Sequence, residues 1–164
     1  MKLVSYKTED REHLGVFING NIYNLNSCDK LIPDGMTEFL AGGIELMERA
    51  KKVNEDIRSN TIQAKQEVFF ELLAPVPHPT SCRDGYAFRQ HVASARRNRK
   101  VDMIPEFDQY PIFYFTNHNA IQGPGDIRCM PDHFQKLDFE LEVSIVIGKK
   151  GRNIRAGEAD EYIA

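Results

Sequence analysis

The sequence predicts an α+β, β-rich fold, and three observations carry that expectation. Short β-branched and aromatic runs, "LVSY", "LGVFI" and "IYNL", crowd the first 25 residues around an Asn19-Gly20-Asn21 turn. A single long stretch of helical periodicity follows, from Met36 to about Asn60. Far downstream, "LDFELEV" at 137–143 alternates with period two: Leu137, Phe139, Leu141 and Val143 are apolar, and Asp138, Glu140 and Glu142 are acids.

The elements are justified in chain order. The first 25 residues read as short strands joined by the Asn-Gly turn. In the helical stretch, Glu45, Glu48, Lys51 and Lys52 form a wet face and Leu46, Met47 and Val53 an apolar one, with a soft spot at Gly42-Gly43. "VFFELLAPV" reads as a strand, ended by the "PVPHPTS" loop. Residues 1–70 are therefore expected to form a small β/α cap with no evident chemistry. "DGYAFRQHVASARRNRK", 84–100, reads as a helix. The prolines at 105, 111, 124 and 131 make the next stretch loop-rich, interrupted by the strand "IFYFT" and the turn "GPGD". The acid-faced strand runs to Gly148. A last helix starts near Glu158 and stops at Ala164 without a cap. The chain is thus expected to be the front piece of a longer protein, with a frayed tail as the alternative.

Bulk properties bound the function. The 164 residues, 41% hydrophobic, suit one medium domain or a domain with a small companion. A net charge of −3 offers no global field for nucleic acid or an acidic membrane. No apolar run approaches the roughly 20 residues of a membrane span. The N-terminus lacks signal-peptide character. Three widely spaced cysteines, Cys28, Cys82 and Cys129, read as free thiols in a reducing compartment, so a cytoplasmic location is expected.

Three acids on one strand face pose the chemical question. Alternate side chains sit about 7 Å apart, where two carboxylates repel by roughly 0.5 kcal/mol in water and ~2 kcal/mol when partly buried. A solvated outer sheet face is the ordinary explanation. Here no Lys or Arg lies within the strand, and the same face continues as Ser144, Val146 and Gly148. A hard divalent cation would relieve the repulsion, and an all-oxygen donor set suits Mg²⁺ or Ca²⁺ better than Zn²⁺. Both explanations stand at this point. On the expected helix at 84–100, Asp84 and His91 share a face about 10 Å apart. A lone helical histidine is ordinarily structural. The basic run Arg96, Arg97, Arg99, Lys100 suits a helix C-terminus, or else a positive rim for a carboxylate substrate. Cys129 and His133 form a single C-x3-H pair, too little for zinc.

Together, "DGYAFRQH", "FYFTNHNAIQGPGD" and "LDFELEVSIVIGKKGRNI" followed by "EADEYIA" resemble the fumarylacetoacetate hydrolase family, closest to its longer bacterial members. The likeness is strong over about 70–164 and faint before it. It implies that 71–164 is the first part of a catalytic mixed β-sandwich roll, incomplete at its C-terminus. It implies metal ligands at Glu140, Glu142 and Asp84, the last matching an aspartate not found in every relative. His91 matches the histidine that activates water, and Tyr86 a tyrosine lining the substrate pocket. Asp138 matches no ligand. The cofactor implied is a divalent cation, Mg²⁺ first, with Mn²⁺ or Ca²⁺ as alternatives. A further aspartate ligand, a substrate lysine and the acid that orients the histidine belong, in the family, past the position of Ala164. The activity implied is metal-dependent hydrolysis of a C–C bond in a β-diketone or acylpyruvate-type acid. Decarboxylation or isomerisation of 2-oxo diacids is the alternative within the family, and an inactive fragment is the alternative outside it. The expected partners are a small oxo-acid substrate and, in the complete protein, a second copy, with no nucleic acid and no membrane.

Overall fold

A computed structural model describes Met1–Ala164. The chain divides into two compact units, one built from Met1–Pro77 with Gln122–Ala164, the other from His78–Ile121.

The first unit begins with the expected meander. Strands β1 (Leu3–Thr8), β2 (Arg11–Ile18) and β3 (Asn21–Asn24) pair antiparallel, with Leu3 opposite Val16 and Ile18 opposite Asn21. The β2–β3 turn takes Asn19 and Gly20 to φ of 50° and 88°, the left-handed pair that a two-residue hairpin needs. Gly15 is required within β2. A Cβ there would lie 2.8 Å from Ile22 Cγ2 and 3.0 Å from the Tyr6 ring. Asn24 then serves two neighbours. Its Oδ1 accepts from Ser27 N at 2.8 Å, capping the single turn α1 (Leu25–Cys28), and its Nδ2 donates to the buried Tyr6 hydroxyl at 2.9 Å.

The expected long helix is two helices, α2 (Met36–Ala41) and α3 (Gly43–Arg58), broken at the Gly42-Gly43 soft spot where Gly43 adopts φ +60°. Glu45, Glu48, Lys51 and Lys52 are exposed as expected, and Val53 is buried. Leu14, Val16, Ile18, Leu25, Ile32, Phe39, Ala50, Val53 and Ile57 make the core between sheet and helices.

The expected strand at 68–76 is instead two short pairings. β4 (Gln66–Glu67) joins β3, and β5 (Glu71–Leu72) joins β1, giving the order β4-β3-β2-β1-β5. A continuous strand can extend only one edge. Here Val68–Phe70 link one edge strand to the other; the four steps from Glu67 to Glu71 reach at most about 14 Å, less than the roughly 19 Å width of a flat five-stranded sheet, so the sheet curls. The "GPGD" turn is held close to β5: a Cβ on Gly123 would lie 2.2 Å from Leu72 O.

Two further expectations for this unit need correction. Residues 137–146 pair with no strand. Their backbone ladder is absent, and Leu137, Phe139, Leu141 and Val143 are 61%, 85%, 95% and 96% exposed. An amphipathic strand sorts its faces only when neighbours bond its edges and another layer covers its apolar side; nothing within 1–164 does so. The expected terminal α-helix is a 3-10 segment, Ala156–Tyr162. Beyond it Ile163 bridges back to Ile147, and Tyr162 packs beneath Lys149 Nζ, 4.2 Å from the ring centroid.

In the second unit, β6 (Arg83–Gly85) pairs antiparallel with β7 (Phe113–Phe115), and α4 spans Arg89–Asn98. The helix therefore starts five residues later than the expected 84–100. The main chain at Asp84 and Gly85 is taken by the ladder, and Ala87 N turns back onto Gly85 O at 2.8 Å. Val92 anchors α4, with only 1% of its surface exposed. Cys28, Cys82 and Cys129 are free thiols. No helix is long and apolar enough to cross a membrane.

Candidate functional site

The second unit carries three of the residues singled out above. Asp84 lies in β6, not on a helix, and is half-buried. Cross-strand register sets it opposite Tyr114, whose hydroxyl donates to Asp84 Oδ2 at 2.5 Å. Sequence reasoning does not single out Tyr114. Its only signal is the alternation of "IFYFT", which cannot say which strand lies opposite. Tyr86, just after β6, is pinned by its amide to Ile112 O at 3.0 Å. His91 is the third residue of α4, exposed, and its imidazole makes no hydrogen bond. The Tyr86 and His91 rings neighbour each other, with centroids 6.1 Å apart and planes tilted by 58°. The start of α4 is tied down by a two-pronged ion pair, Arg89 Nε to Asp108 Oδ1 at 2.8 Å and Nη2 to Oδ2 at 3.1 Å. The pair holds the Asp108 carboxyl below its ordinary range, chiefly through the hydrogen bond from Arg89.

The first unit carries the glutamates. Glu140 and Glu142 are exposed, and an oxygen of one lies within 4.8 Å of an oxygen of the other. That separation suits one hard cation bound to both at about 2.1–2.5 Å after a small side-chain rotation, and the donors are oxygen only. The residues thus fit Mg²⁺, Mn²⁺ or Ca²⁺ by donor chemistry. Asp138 is used locally, its Oδ1 accepting from Phe139 N at 2.9 Å.

Comparison with known proteins adds the decisive observation. The family model described as fumarylacetoacetate (FAA) hydrolase C-terminal matches residues 80–164, just over half of the chain. The chain belongs to the fumarylacetoacetate hydrolase family. Among curated relatives, it is 31% identical to the mitochondrial oxaloacetate tautomerase FAHD2A of Homo sapiens over 170 residues, covering 100% of this chain and 50% of the human one. It is 30% identical to the mitochondrial oxaloacetate tautomerase fahd2 of Xenopus laevis, covering 99% of this chain and 49% of that protein. The chain thus spans about half the length of the curated relatives it matches. A fumarylacetoacetate hydrolase from the psychrophilic Exiguobacterium antarcticum shares the fold, with a TM-score of 0.67 at 24% identity over 99% of this chain and 52% of that one. The α+β architecture is therefore that of the fumarylacetoacetate hydrolase fold.

Proposed function

We propose that the protein is a divalent-metal-dependent tautomerase of a small 2-oxo diacid such as oxaloacetate. The observation that carries this reading is likeness along the whole chain to proteins named oxaloacetate tautomerase. Glu140 and Glu142, joined by Asp84, would hold the cation, as the family motif assigns them. When bound, that cation would supply Lewis acidity toward the 2-oxo and neighbouring carboxylate oxygens. His91 moves the proton: an imidazole nitrogen takes it from carbon 3, the C–H electron pair becomes the C=C bond, and the carbonyl oxygen gains a proton in turn. Its unbonded imidazole at the start of α4 leaves both ring nitrogens available for this transfer. Tyr86 flanks the imidazole and, as the family resemblance assigns it, would line the substrate pocket. The division into a 1–70 cap and a catalytic roll from 71 belongs to this reading, supported by a family match that begins at residue 80. So does assembly as a homodimer, which sedimentation would test.

The second reading is hydrolysis of a C–C bond in an acylpyruvate-type acid, favoured by the name of the family itself. There His91 takes its proton from water, hydroxide adds to the carbonyl, and the carbon leaving group departs with the bonding pair. One experiment separates the two. Enol-to-keto conversion of oxaloacetate is followed by ultraviolet absorbance, alongside acylpyruvate cleavage, with Mg²⁺, Mn²⁺ or EDTA. The tautomerase reading expects metal-dependent conversion that His91→Ala lowers by about 10²–10⁴-fold and that Glu140→Gln uncouples from added metal. Conversion at the buffer rate beside rapid acylpyruvate cleavage would replace it with the second reading. Turnover of neither substrate removes both.

A further inference from the structure

The two-stranded sheet of β6 and β7 has unlike faces. Its register sets Arg83 opposite Phe115, Asp84 opposite Tyr114 and Gly85 opposite Phe113. Alternation then puts Asp84 and Tyr114 on one face and Arg83, Phe113 and Phe115 on the other. On that second face the Arg83 guanidinium lies 4.7 Å from the Phe115 ring centroid and 5.8 Å from that of Phe113. The two rings meet edge-on, and Arg83 Nη1 donates to Ser81 Oγ at 3.0 Å. Main-chain bonds continue past both ends of the ladder, from Tyr86 N to Ile112 O and from Thr116 N to Cys82 O. A slip of one residue would break this stack and turn Tyr114 to the opposite face. Contacts that neither residue makes therefore hold Tyr114 against Asp84.

The stack also draws Arg83 away from its acidic neighbour. The Asp84 carboxylate accepts the Tyr114 hydroxyl on Oδ2 at 2.5 Å and leaves Oδ1 without a hydrogen bond. That length is at the short end for a charge-assisted O–H···O⁻ bond. The two carboxylate oxygens are thus made unequal: one is occupied, the other is open.

We propose that Tyr114 is a positioning residue: its hydroxyl holds Asp84 Oδ2, presents Oδ1 alone to the cation, and so sets a preference for Mg²⁺ and Mn²⁺ over Ca²⁺. This role rests on the function proposed above, in which Asp84 is a cation ligand. Mg²⁺ takes a tight, near-ideal octahedron, into which the narrow bite of one chelating carboxylate fits poorly. The larger and more flexible shell of Ca²⁺ accepts both oxygens of one carboxylate. A phenol bound to Oδ2 disfavours the second arrangement. Hydrogen-bond partners of a ligand also orient it toward the metal and raise affinity.

The test is Mn²⁺ binding to the full-length protein, read from the electron paramagnetic resonance signal of free Mn²⁺, with Mg²⁺ and Ca²⁺ as competitors. Tyr114→Phe keeps the ring and its strand pairing and removes only the hydroxyl. It should weaken Mn²⁺ binding about tenfold and shift the competition constants toward Ca²⁺ relative to Mg²⁺. In an Asp84→Asn background the same substitution should change neither. Equal weakening of all three cations overturns the proposal. So does a Tyr114→Phe effect that persists without the Asp84 carboxylate, or a variant that binds like wild type. Wild type that fails to bind Mn²⁺, or Asp84→Asn that binds it unchanged, instead removes Asp84 as a ligand and takes this role with it. The two kinds of failure are distinct, and neither is read from turnover.

Discussion

Strand β2 and the segment Leu137–Ile147 carry the same alternating pattern and meet opposite fates. In β2, Leu14 and Val16 are fully buried and Ile18 nearly so. In the later segment Leu141 and Val143 are 95% and 96% exposed, and Ile145 and Ile147 about two-thirds. The difference does not lie in hydrophobicity. β2 has ladder partners on both edges, β1 and β3, and helix α3 packs over its apolar side chains. The later segment has only the isolated bridge from Ile147 to Ile163 at its end. Period-two alternation specifies which face a strand would bury, but partners decide whether it buries it. Glu140 and Glu142, the ligands that the proposed function assigns, lie on this segment.

The largest effect tests that contrast directly. Leu14→Ala should cost about 2–4 kcal/mol, since it opens a cavity in a filled core. Leu141→Ala should change stability by no more than about 0.5 kcal/mol. Denaturant midpoints of the two variants, with unchanged m-values, measure both. Equal losses would mean that Leu141 is buried in solution and would end the contrast.

What was legible in the sequence follows the same division. The Asn19-Gly20 turn and the Gly42-Gly43 break are local: left-handed φ at Asn19, Gly20 and Gly43 can be read from the residue types themselves. The wet face of α3 is local as well. Local signals failed where tertiary competition decides. "VFFELLAPV" has strand propensity throughout, yet two sheet edges divide it between them. Asp84-Gly85 could begin a helix, but pairing with Tyr114 and Phe113 claims them for β6. In the candidate site, residue types and spacing left His91 and the glutamates open to ordinary readings, and only the resemblance to a family gave them, and Tyr86, a role. The Tyr114–Asp84 hydrogen bond depends on register and left no trace in spacing.

A smaller effect is expected at Asn24, inside the well-partnered region. Asn24→Ala removes a helix cap, worth about 1 kcal/mol, and one hydrogen bond to the Tyr6 hydroxyl, worth about 0.5–1.5 kcal/mol net. Tyr6 also makes this region sensitive to alkali. Burial raises the phenol's pKa well above its ordinary 10.0. A raised folded-state value means that the stabilisation is fully present below pH 10 and is lost as pH climbs beyond it. Wild type should thus lose stability above pH 10, and Tyr6→Phe should flatten that limb of a Tm-against-pH curve. A Tyr6→Phe curve as steep as wild type would place the alkaline transition elsewhere.

The smallest effect belongs to the Arg89–Asp108 pair at the start of α4. Both side chains are more than half exposed, at 59% and 56%, so solvent screens the contact and little stability follows from it. The direction is still defined. Asp108 is held below its ordinary value by Arg89, so the pair's contribution is present above that value and fades as pH falls through the lowered one. Carboxyl NMR of Asp108 should show a depressed midpoint in low salt that moves upward in 1 M salt, and Arg89→Gln should move it upward in low salt as well. Tm should hardly respond. The pair ties the helix that carries His91 to the 3-10 turn Pro105–Asp108, so a variant that shifts the Asp108 midpoint and lowers turnover without moving Tm would mark it as a positioning contact. Loss of the midpoint shift with turnover intact would leave it a surface ion pair and no more.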